Sequence, residues 1–498
     1  MNSQLIKSNI KLTIGILVSN NINYIRKTME SLVPLLDNVP SELIAIDTKG
    51  EESDGSIAVV REYTDKIYPF VWCNDFAKAR NICLEHATGE WFLYLDDDEW
   101  FDDVQELVDF FNSGECEEYN SGFYYTKNYT SKTQYSMAIA GRMIRRRTDT
   151  CFVGKVHETF NEVFPLEKYF SCFVHHAGYM YSSKEEEKKH QERNISILQE
   201  EIKRCGYTPR VCAQLMRELV QMEDTLAEGI EFGIKSIERF RKSSLIEDSY
   251  AQFLLAESVR GYIKQNRYDK VLQQAKYVRE ECRRSRMTEL VISALLVQSA
   301  ANNQDYATAI ENVNRYLEQR EWLQAHPNEA NLLSQLDFPS YCTEEFFFGI
   351  LYLGAFSANK LERYQTAMEY WMRFPWKRQC FEGKKYIPEM QITQTGIKKQ
   401  KLTKECTELY KAFCEAIPAA CKLIQEERMK EKIELLTGMQ EVAISLGNKL
   451  EELYGEGTRQ IPVLEQCCEL IWQCANTDSK EVAEGMLCEV EKLVRNLF

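Results

Sequence analysis

The strongest constraint on the fold is a change of hydrophobic pattern along the chain. Over residues 11–100, short apolar runs alternate with amphipathic helical patterns, beginning with the run Leu12–Val18. Strands that alternate with helices favour a mostly parallel sheet. From Lys184 almost to the carboxyl terminus, long helical periodicity replaces this alternation. The sequence therefore predicts an α/β domain followed by an all-α region.

Short β-like runs lie between these two parts of the chain. Gly122–Asn128 and Gln134–Ala140 are the clearest of them. We interpret them as an antiparallel extension of the sheet that covers the edge where a ligand would bind. With this extension, the predicted α/β domain comprises residues 1–200.

Three segments of the helical region begin with tyrosine after a short polar turn. They start at Tyr268, Tyr306 and Tyr364. Glu223–Thr225 and the helical pattern after it resemble an earlier, degenerate copy. The first two spacings are slightly above the tetratricopeptide (TPR) period, and the longer third spacing indicates an insertion. We predict a TPR-like array of helical hairpins over residues 201–378, a shape suited to holding a partner on its concave face. A plain helical bundle is the alternative.

The chain beyond the array divides into a predicted linker and a last helical unit. Residues 379–401 combine Gly383, Pro388, Gly396 and several lysines with weak periodicity, which is typical of a linker. Residues 402–498 return to long helical patterns, and the sequence assigns them no role.

Composition excludes several classes of protein. The 498 residues are 44% hydrophobic, which supports folded cores. The formal net charge of −15 disfavours a nucleic-acid binder and anchoring on anionic lipid, both of which need basic surface. No apolar run reaches membrane-spanning length without charges, and the 17 cysteines include no Cys-x-x-Cys pair. We expect a cytoplasmic protein with reduced thiols.

The densest chemical signal lies where the apolar run Trp91–Leu95 meets four consecutive acids, Asp96 to Glu99. Side chains two apart in a strand point to the same side, so Asp96 and Asp98 can share a target while Asp97 points away. Adjacent carboxylates repel one another, and a divalent cation with the phosphates it bridges would relieve that repulsion. Mn²⁺ or Mg²⁺ suits such ligands. The alternative is a solvated acidic turn.

Three further positions carry candidate site residues. Asp47 closes the second predicted strand, where a carboxylate could bind a nucleobase or ribose. Arg80 lies early in a predicted helix, where it could reach a phosphate or simply face solvent. His157 and Glu158 are adjacent, and such a pair can supply a general base with its partner or a metal ligand. An exposed turn is the alternative for this pair.

These segments occur in an order that resembles family 2 glycosyltransferases of the GT-A fold. Within that family the chain looks most like sublancin-type peptide S-glycosyltransferases, which carry a tetratricopeptide-like tail, and it is also similar to glucosyltransferases of lipopolysaccharide core assembly. The matching segments, within roughly residues 10–200, are Ile14–Asn20, Asp47–Ser56, Trp72–Asn81, Trp91–Glu99, Arg142–Arg145, Gly154–Glu158 and His176–Tyr179. The resemblance implies a Rossmann-like nucleotide-diphospho-sugar transferase domain followed by TPR-like helices.

The resemblance also implies roles for individual residues. Nucleotide-sugar binding would fall to Ser19, Asp47, Arg80, Asp96, Asp97 and Arg145. Asp98, Asp96 and His176 would hold Mn²⁺ or Mg²⁺, and Glu158 with His157 would deprotonate the acceptor. Two positions depart from the family pattern, because Asn21 stands where relatives usually carry an acid and Asp97 stands where a small residue is common.

The implied activity is inverting transfer of a sugar from a UDP-sugar to an acceptor. The acceptor implied first is a Cys, Ser or Thr side chain of a peptide held by the helical repeats, and a homodimer is compatible with this reading. A saccharide or lipid-linked glycan acceptor is one alternative. A TPR-type interaction scaffold with an inactive transferase domain is another.

Overall fold

A computed structural model of the chain describes residues 4–162, 166–181, 183–326, 338–377, 381, 383–455, 458–495 and 497. The chain forms two compact units, Met1–Leu353 and Gly354–Phe498. The first unit contains a mixed β-sheet and the helices that follow it, and the described part of the second is built from helices. The predicted order of an α/β domain before an all-α region is therefore confirmed. The domain boundaries predicted at residues 200 and 378 stay predictions.

The strands lie in the amino-terminal part of the first unit. In chain order they are β1 Leu12–Val18, β2 Ser41–Asp47, β3 Ile67–Pro69, β4 Trp91–Asp96, β5 Glu99–Phe101, β6 Ser121–Tyr129, β7 Tyr135–Arg145, β8 Phe152–Val153, β9 Thr159–Phe160 and β10 Glu167–His176. One sheet has the order β3-β2-β1-β4-β7-β6-β10-β5, and β8 pairs with β9.

Strands β1 to β4 run parallel, as the alternation of strands and helices predicts. Strand β7 is antiparallel to β4 and to β6, so the predicted antiparallel extension exists. The extension is not wholly antiparallel, because β10 returns parallel to β6. Strand β5 begins at Glu99, the last of the four acids, and pairs with β10.

Helices cover both faces of the parallel strands. They are α1 Ile22–Asn38, α2 Ser56–Val60, α3 Phe76–His86 and α4 Gln105–Asn112. All seven residues of β1 are buried, which is why this strand reads as a continuous apolar run. Ile14 and Ile16 pack in one core with Met29 of α1, whereas Leu17 packs in a second core with Ala79 of α3.

Long helices follow the sheet. They are α5 Lys184–Cys205, α6 Pro209–Leu219, α7 Leu226–Phe240, α8 Ser249–Lys264, α9 Tyr268–Glu281, α10 Arg286–Asn302, α11 Tyr306–Ala325 and α12 Glu344–Lys360. Helices α6 and α7, α8 and α9, and α10 and α11 form consecutive packed pairs, and α6, α8 and α10 pack in series. These six helices thus form consecutive hairpins, and a TPR-like array over residues 201–378 stays a prediction.

The repeated tyrosines mark a repeated turn. Asn266, Gln304 and Glu362 all have positive φ, and each lies two residues before the tyrosine that begins the next helix. Positive φ is uncommon outside glycine, so its recurrence at one turn position indicates a shared backbone geometry. The same turn recurs at Glu427, two residues before the helix that begins at Met429.

The first helices of two hairpins are enclosed by the rest of the unit. Every residue of Ala251–Val259 in α8 and of Met287–Val297 in α10 is buried. A helix buried on all sides has no face to offer a partner. The concave surface predicted for the array is therefore not exposed along these two segments.

The second unit contains α13 Tyr364–Trp371, α14 Ile387–Gln425, α15 Met429–Tyr454, α16 Gln460–Asn476 and α17 Lys480–Arg495. Helices α14 to α17 pack in sequence, and α14 also contacts α17, so these four form a bundle. Its core includes Phe413, Leu446, Cys467 and Leu487. Among the described residues, no helix has the length and apolarity needed to cross a membrane.

The predicted linker is wrong from residue 387 onward, because α14 begins at Ile387. Residues 379, 380 and 382 of the predicted linker lie outside the described part of the chain. Gly396, which we took as a loop signal, lies in α14 where an added Cβ would overlap the Tyr364 ring. Close packing, rather than a turn, explains this glycine.

Candidate functional site

The predicted acids meet at the carboxyl edge of the parallel strands. Val18 of β1 is in register with Asp47 of β2, and Leu17 is in register with Asp96 of β4. The two aspartates therefore flank the end of β1, about 10 Å apart, because neighbouring strands lie about 4.8 Å apart. In α/β sheets, ligands bind beyond this edge.

Asp47 shapes the turn that follows its own strand. Its Oδ1 accepts hydrogen bonds from the backbone N–H groups of Lys49, at 3.0 Å, and Gly50, at 2.8 Å. Gly50 has a φ of +56°, a conformation that glycine adopts at little cost. One carboxylate oxygen of Asp47 thus fixes the backbone of the loop beside the site.

Asp97 is an internal anchor and does not face water, as its 5% exposure shows. Its Oδ2 accepts from the Ser19 backbone N–H, at 2.5 Å, and from the Ser19 hydroxyl, at 2.9 Å. Its Oδ1 accepts from the Asn21 amide at 2.6 Å. Burial raises the pKa of Asp97 to about 6 against the opposing effect of these donors. Asn21 and Asp97, the two residues that depart from the family pattern, therefore contact each other. An acid at position 21 would face the carboxylate of Asp97.

Arg80 is a buried bridge between two carboxylates. It is 2% exposed, and its guanidinium binds Asp96 Oδ1 and Glu158 Oε1, each at 2.5 Å. It also lies 4.4 Å from the centre of the Tyr94 ring. Burial alone would raise the pKa of Asp96, but Arg80 and a second arginine outweigh it and hold the pKa below its usual range. Arg80 is thus placed to orient Asp96, and it is not an exposed helix cation.

The second arginine at the site is Arg142, not Arg145. Arg142 binds Asp96 Oδ2 at 3.4 Å and Glu99 Oε1 at 3.0 Å. The pairing of β6 with β7 shifts register here, so Arg142 is the extra residue of a β-bulge, which re-aims a side chain. Arg145 lies opposite Trp91 at the start of β4 and binds Glu117. The predicted place of Arg145 at the site is therefore wrong.

Asp98 and His176 lie beside Asp96 at the same edge. The His176 Nε2 is 3.8 Å from Asp98 Oδ1, and its Nδ1 is 2.9 Å from the side-chain oxygen of Asn128. Burial, with the charges of three neighbouring carboxylates, raises the pKa of Asp98 well above its ordinary value. The site therefore holds an excess of buried negative charge that a cation would balance.

Glu99 also belongs to this group, although the sequence analysis gave it no role. Asp96, Glu99 and His176 each offer a ligand atom, and these atoms lie within 4.8 Å of one another. Glu99 is 1% exposed, and its Oε2 accepts from the Asp96 backbone N–H at 3.0 Å. Its place as the fourth of four acids was the only signal for it in the sequence.

The residues present fit a divalent cation. Carboxylate oxygens and an imidazole nitrogen are donors that Mn²⁺ and Mg²⁺ accept. Gly178 keeps space open between two of these donors, because an added Cβ would lie 2.5 Å from His176 Nε2 and 3.0 Å from Asp98 Oδ2. A glycine at this position is what an ion held between the two side chains would require.

The change Gly178→Ala is expected to weaken manganese binding at least about tenfold, because the added methyl group would occupy the space between His176 and Asp98. Isothermal titration calorimetry with Mn²⁺ measures the manganese affinity of each protein. Gly438→Ala is the matched control, since nothing lies within 4 Å of a Cβ added there. Equal manganese affinity in Gly178→Ala and the unaltered protein would contradict the assignment.

His157 and Glu158 do not act on each other. Glu158 binds Arg80, whereas the His157 Nε2 lies 2.5 Å from the Glu218 Oε1 in α6. The expected pair of a base and its adjacent partner is therefore not formed, because each residue binds a different side chain. Glu218 comes 61 residues after His157 and has no local signal in the sequence, so sequence reasoning missed it.

Residues 13–171 match the family model "Glycosyl transferase family 2". Glycosyltransferase SunS of Bacillus phage SPbeta and the SPbeta prophage-derived glycosyltransferase SunS of Bacillus subtilis (strain 168) are each 28% identical to this chain over 249 residues, 46% of this chain and 54% of theirs. The chain thus spans about half the length of these curated relatives.

Two further similarities are weaker. A TPR repeat-containing protein of Synechococcus elongatus is 30% identical over 121 residues, 24% of this chain and 29% of that protein. The crystal structure of S. aureus TarS is 13% identical, with a TM-score of 0.27, over 54% of this chain and 55% of that chain. A TM-score this low supports no conclusion about fold or function.

Proposed function

We propose, from the glycosyltransferase family 2 domain that residues 13–171 match, that this protein transfers a sugar from a nucleotide sugar to an acceptor. The observation that carries the proposal is the cluster of Asp96, Asp98 and His176 at the carboxyl edge of the parallel strands, with Gly178 leaving space between its donors. An interaction scaffold with an inactive domain has no need of half-buried carboxylates held close together, because their charges repel one another.

The donor we propose is a UDP-sugar, bound with Mn²⁺ or Mg²⁺. When bound, the ion would neutralise charge that develops on the leaving diphosphate. The chain's own residues keep the ligands in place. Arg80 and Arg142 orient Asp96, and Asp97 ties the loop after β1 to the end of β4 through Ser19. Asp47 keeps its loop in a defined turn beside the candidate site.

The acceptor we propose is a Cys, Ser or Thr side chain of a peptide, attacked with inversion at the sugar. The resemblance to sublancin-type peptide S-glycosyltransferases and the array of helical hairpins support this choice. The acceptor cannot lie along Ala251–Val259 or Met287–Val297, since both segments are buried. A saccharide or lipid-linked acceptor remains the alternative, and mass spectrometry of peptides incubated with enzyme and donor separates the two.

A panel of UDP-sugars with and without manganese tests the donor proposal. We expect UDP-glucose or UDP-N-acetylglucosamine to raise the Tm of the protein only when manganese is present, together with slow release of UDP. A binding-only scaffold would release no UDP. If no nucleotide sugar changes the Tm and none is hydrolysed with either metal, the proposed function is wrong.

A further inference from the structure

The helical part of the first unit contains a cavity between two consecutive hairpins. It lies between the second helices of these hairpins, α9 and α11, and Leu296 of α10 closes its floor. Its volume is about 410 Å³, within the range of about 300–1,000 Å³ that is usual for ligand pockets. The first helices, α8 and α10, are buried along most of their length. The groove between the second helices is therefore a surface that these hairpins leave open to a partner.

Cations outnumber acids around this cavity. The described residues that line it include two acids, Glu280 and Glu311, and four cations, which are Lys276, Arg279, Arg284 and Arg315. The whole chain has a formal net charge of −15, so an excess of cations at one cavity runs against its composition. A concave surface with this charge attracts anions.

Buried groups hold two of these arginines in place. Glu289 is 7% exposed, and it binds Arg279 at 2.8 Å and also binds Arg284. The Arg279 guanidinium also donates to the buried Asn312 side chain at 2.8 Å. Burial lowers the pKa of Arg279 against the opposing effect of Glu289, and the charges of Arg315 and Arg284 lower it further. One carboxylate therefore faces two guanidinium charges, and an anion in the cavity would relieve their repulsion.

The other two cations are not needed to hold the hairpins together. Lys276 pairs with Glu280 at 3.9 Å, and Arg315 pairs with Glu311 at 3.0 Å, each within one helix. All four of these residues are exposed. Exposed pairs of this kind contribute little to stability. A carboxylate from a ligand can therefore replace either glutamate at small cost.

The fixed arginines keep hydrogen-bond donors for such a ligand. Within the described residues, the Nη1 group of Arg279 and the Nη2 group of Arg284 make no hydrogen bond. The planar guanidinium fork matches the geometry of a carboxylate, to which it donates two parallel hydrogen bonds. The cavity thus offers a carboxylate two positioned arginines and two surface cations.

We propose that this cavity binds acidic side chains of a polypeptide, and that this polypeptide is the acceptor of the transfer. The second part rests on the proposed function, in which the acceptor is a peptide side chain. The groove between α9 and α11 is lined by charges on both helices, so it fits an extended segment with more than one carboxylate. The helices then select the acceptor by its charge, while the α/β part carries out the transfer.

Fluorescence anisotropy tests the proposal by measuring how two labelled peptides bind the full chain. One peptide carries paired glutamates with a cysteine, a serine and a threonine, and the other has glutamines in place of the glutamates. We expect the glutamate peptide to bind at least about tenfold more tightly, and added salt to weaken its binding. The double variant Lys276→Gln/Arg315→Gln should lower that affinity at least about tenfold and leave the weak binding of the glutamine peptide unchanged.

Charge reversal gives a readout that a merely structural role would not produce. In Lys276→Glu/Arg315→Glu, a peptide with lysines in place of the glutamates should bind more tightly than the glutamate peptide. Lys235→Gln is the matched control, because Lys235 forms the same kind of pair with Glu231 on α7, outside the cavity. It should bind the glutamate peptide as tightly as the unaltered protein does. Tm values equal to that of the unaltered protein are expected for all of these variants.

Mass spectrometry tests the second part of the proposal. With UDP-glucose or UDP-N-acetylglucosamine and manganese, the glutamate peptide should receive more sugar than the glutamine peptide. A glutamate peptide that binds but receives no sugar, from an enzyme that releases UDP, is not an acceptor, and the second part is then wrong.

Three binding results overturn the first part. They are equal affinity for the glutamate and glutamine peptides, unchanged affinity in the double glutamine variant, and a charge-reversed variant that still prefers glutamate. If inorganic phosphate raises the Tm of a protein that binds neither peptide, the cavity holds a small anion and the polypeptide is wrong. If the glutamate peptide binds but no donor yields UDP, the acidic-peptide site stands and the proposed function is wrong. If UDP is released and neither peptide binds, the proposed function stands without this inference.

Discussion

Replacing Asp98 with alanine should reduce manganese-dependent UDP release at least about 100-fold, since losing even a residue that only supports a metal ligand costs 10- to 100-fold. Asp98 is half-buried, its Oδ1 lies 3.8 Å from His176 Nε2, and the charges of three neighbouring carboxylates act on it. Removing it takes away a proposed ligand of the ion that would neutralise the leaving diphosphate. Chelation of the metal by EDTA should have the same effect on the unaltered protein.

The same substitution should not destabilise the metal-free protein. Burial and the neighbouring charges make the ionised form of Asp98 unfavourable, as its raised pKa shows. We therefore expect an equal or higher Tm for Asp98→Ala without metal, and a smaller increase on adding manganese. Asp109→Ala is the control, because Asp109 is an exposed acid on α4. Undiminished UDP release in Asp98→Ala, or in EDTA, would contradict the metal role.

Replacing Arg80 with alanine should destabilise the first unit by about 3–5 kcal/mol, the usual loss when one partner of a buried ion pair is removed. Arg80 neutralises both Asp96 and Glu158, whose side chains are 31% and 11% exposed. Its removal takes away the arginine bound to Glu158 and leaves Asp96 with Arg142, at 3.4 Å, so Asp96 is less firmly oriented and UDP release should also be lost. Urea denaturation followed by circular dichroism measures the change in stability.

Two companion variants make the Arg80 prediction specific. Arg80→Lys keeps the charge but not the planar fork that binds two carboxylates, so it should be intermediate in stability and activity. Arg26→Ala removes an arginine that pairs with Glu62 at the surface of α1, and it should change stability little. If Arg80→Ala unfolds at the same urea concentration as the unaltered protein, the bridge does not stabilise the fold.

Local patterns in the sequence predicted the architecture well. Buried parallel strands read as continuous apolar runs because helices cover both of their faces, as all seven residues of β1 show. The run of acids after β4 predicted the edge of the sheet where the candidate site lies. The tyrosines at 268 and 306 predicted helical hairpins because each follows the same kind of turn.

Long-range packing decided the contacts that the sequence could not reveal. Arg142 reaches Asp96 because a bulge redirects its side chain, and the arginine pattern of β7 contains no sign of that bulge. Asp97 is buried because Ser19 and Asn21 come to it from the loop after β1. Gly396 lies inside a helix because the Tyr364 ring packs against it.

By itself, the sequence determined the order of an α/β part before a helical part and the strand end where four acids gather, because hydrophobic periodicity and a run of acids are both local signals. The tertiary structure alone decided the partners of Arg80 and His157. Arg80 meets Glu158 across 78 residues, and His157 meets Glu218 across 61. A buried charge must find an opposite charge or a hydrogen bond wherever packing brings one, and that choice is made in space and leaves no pattern along the chain.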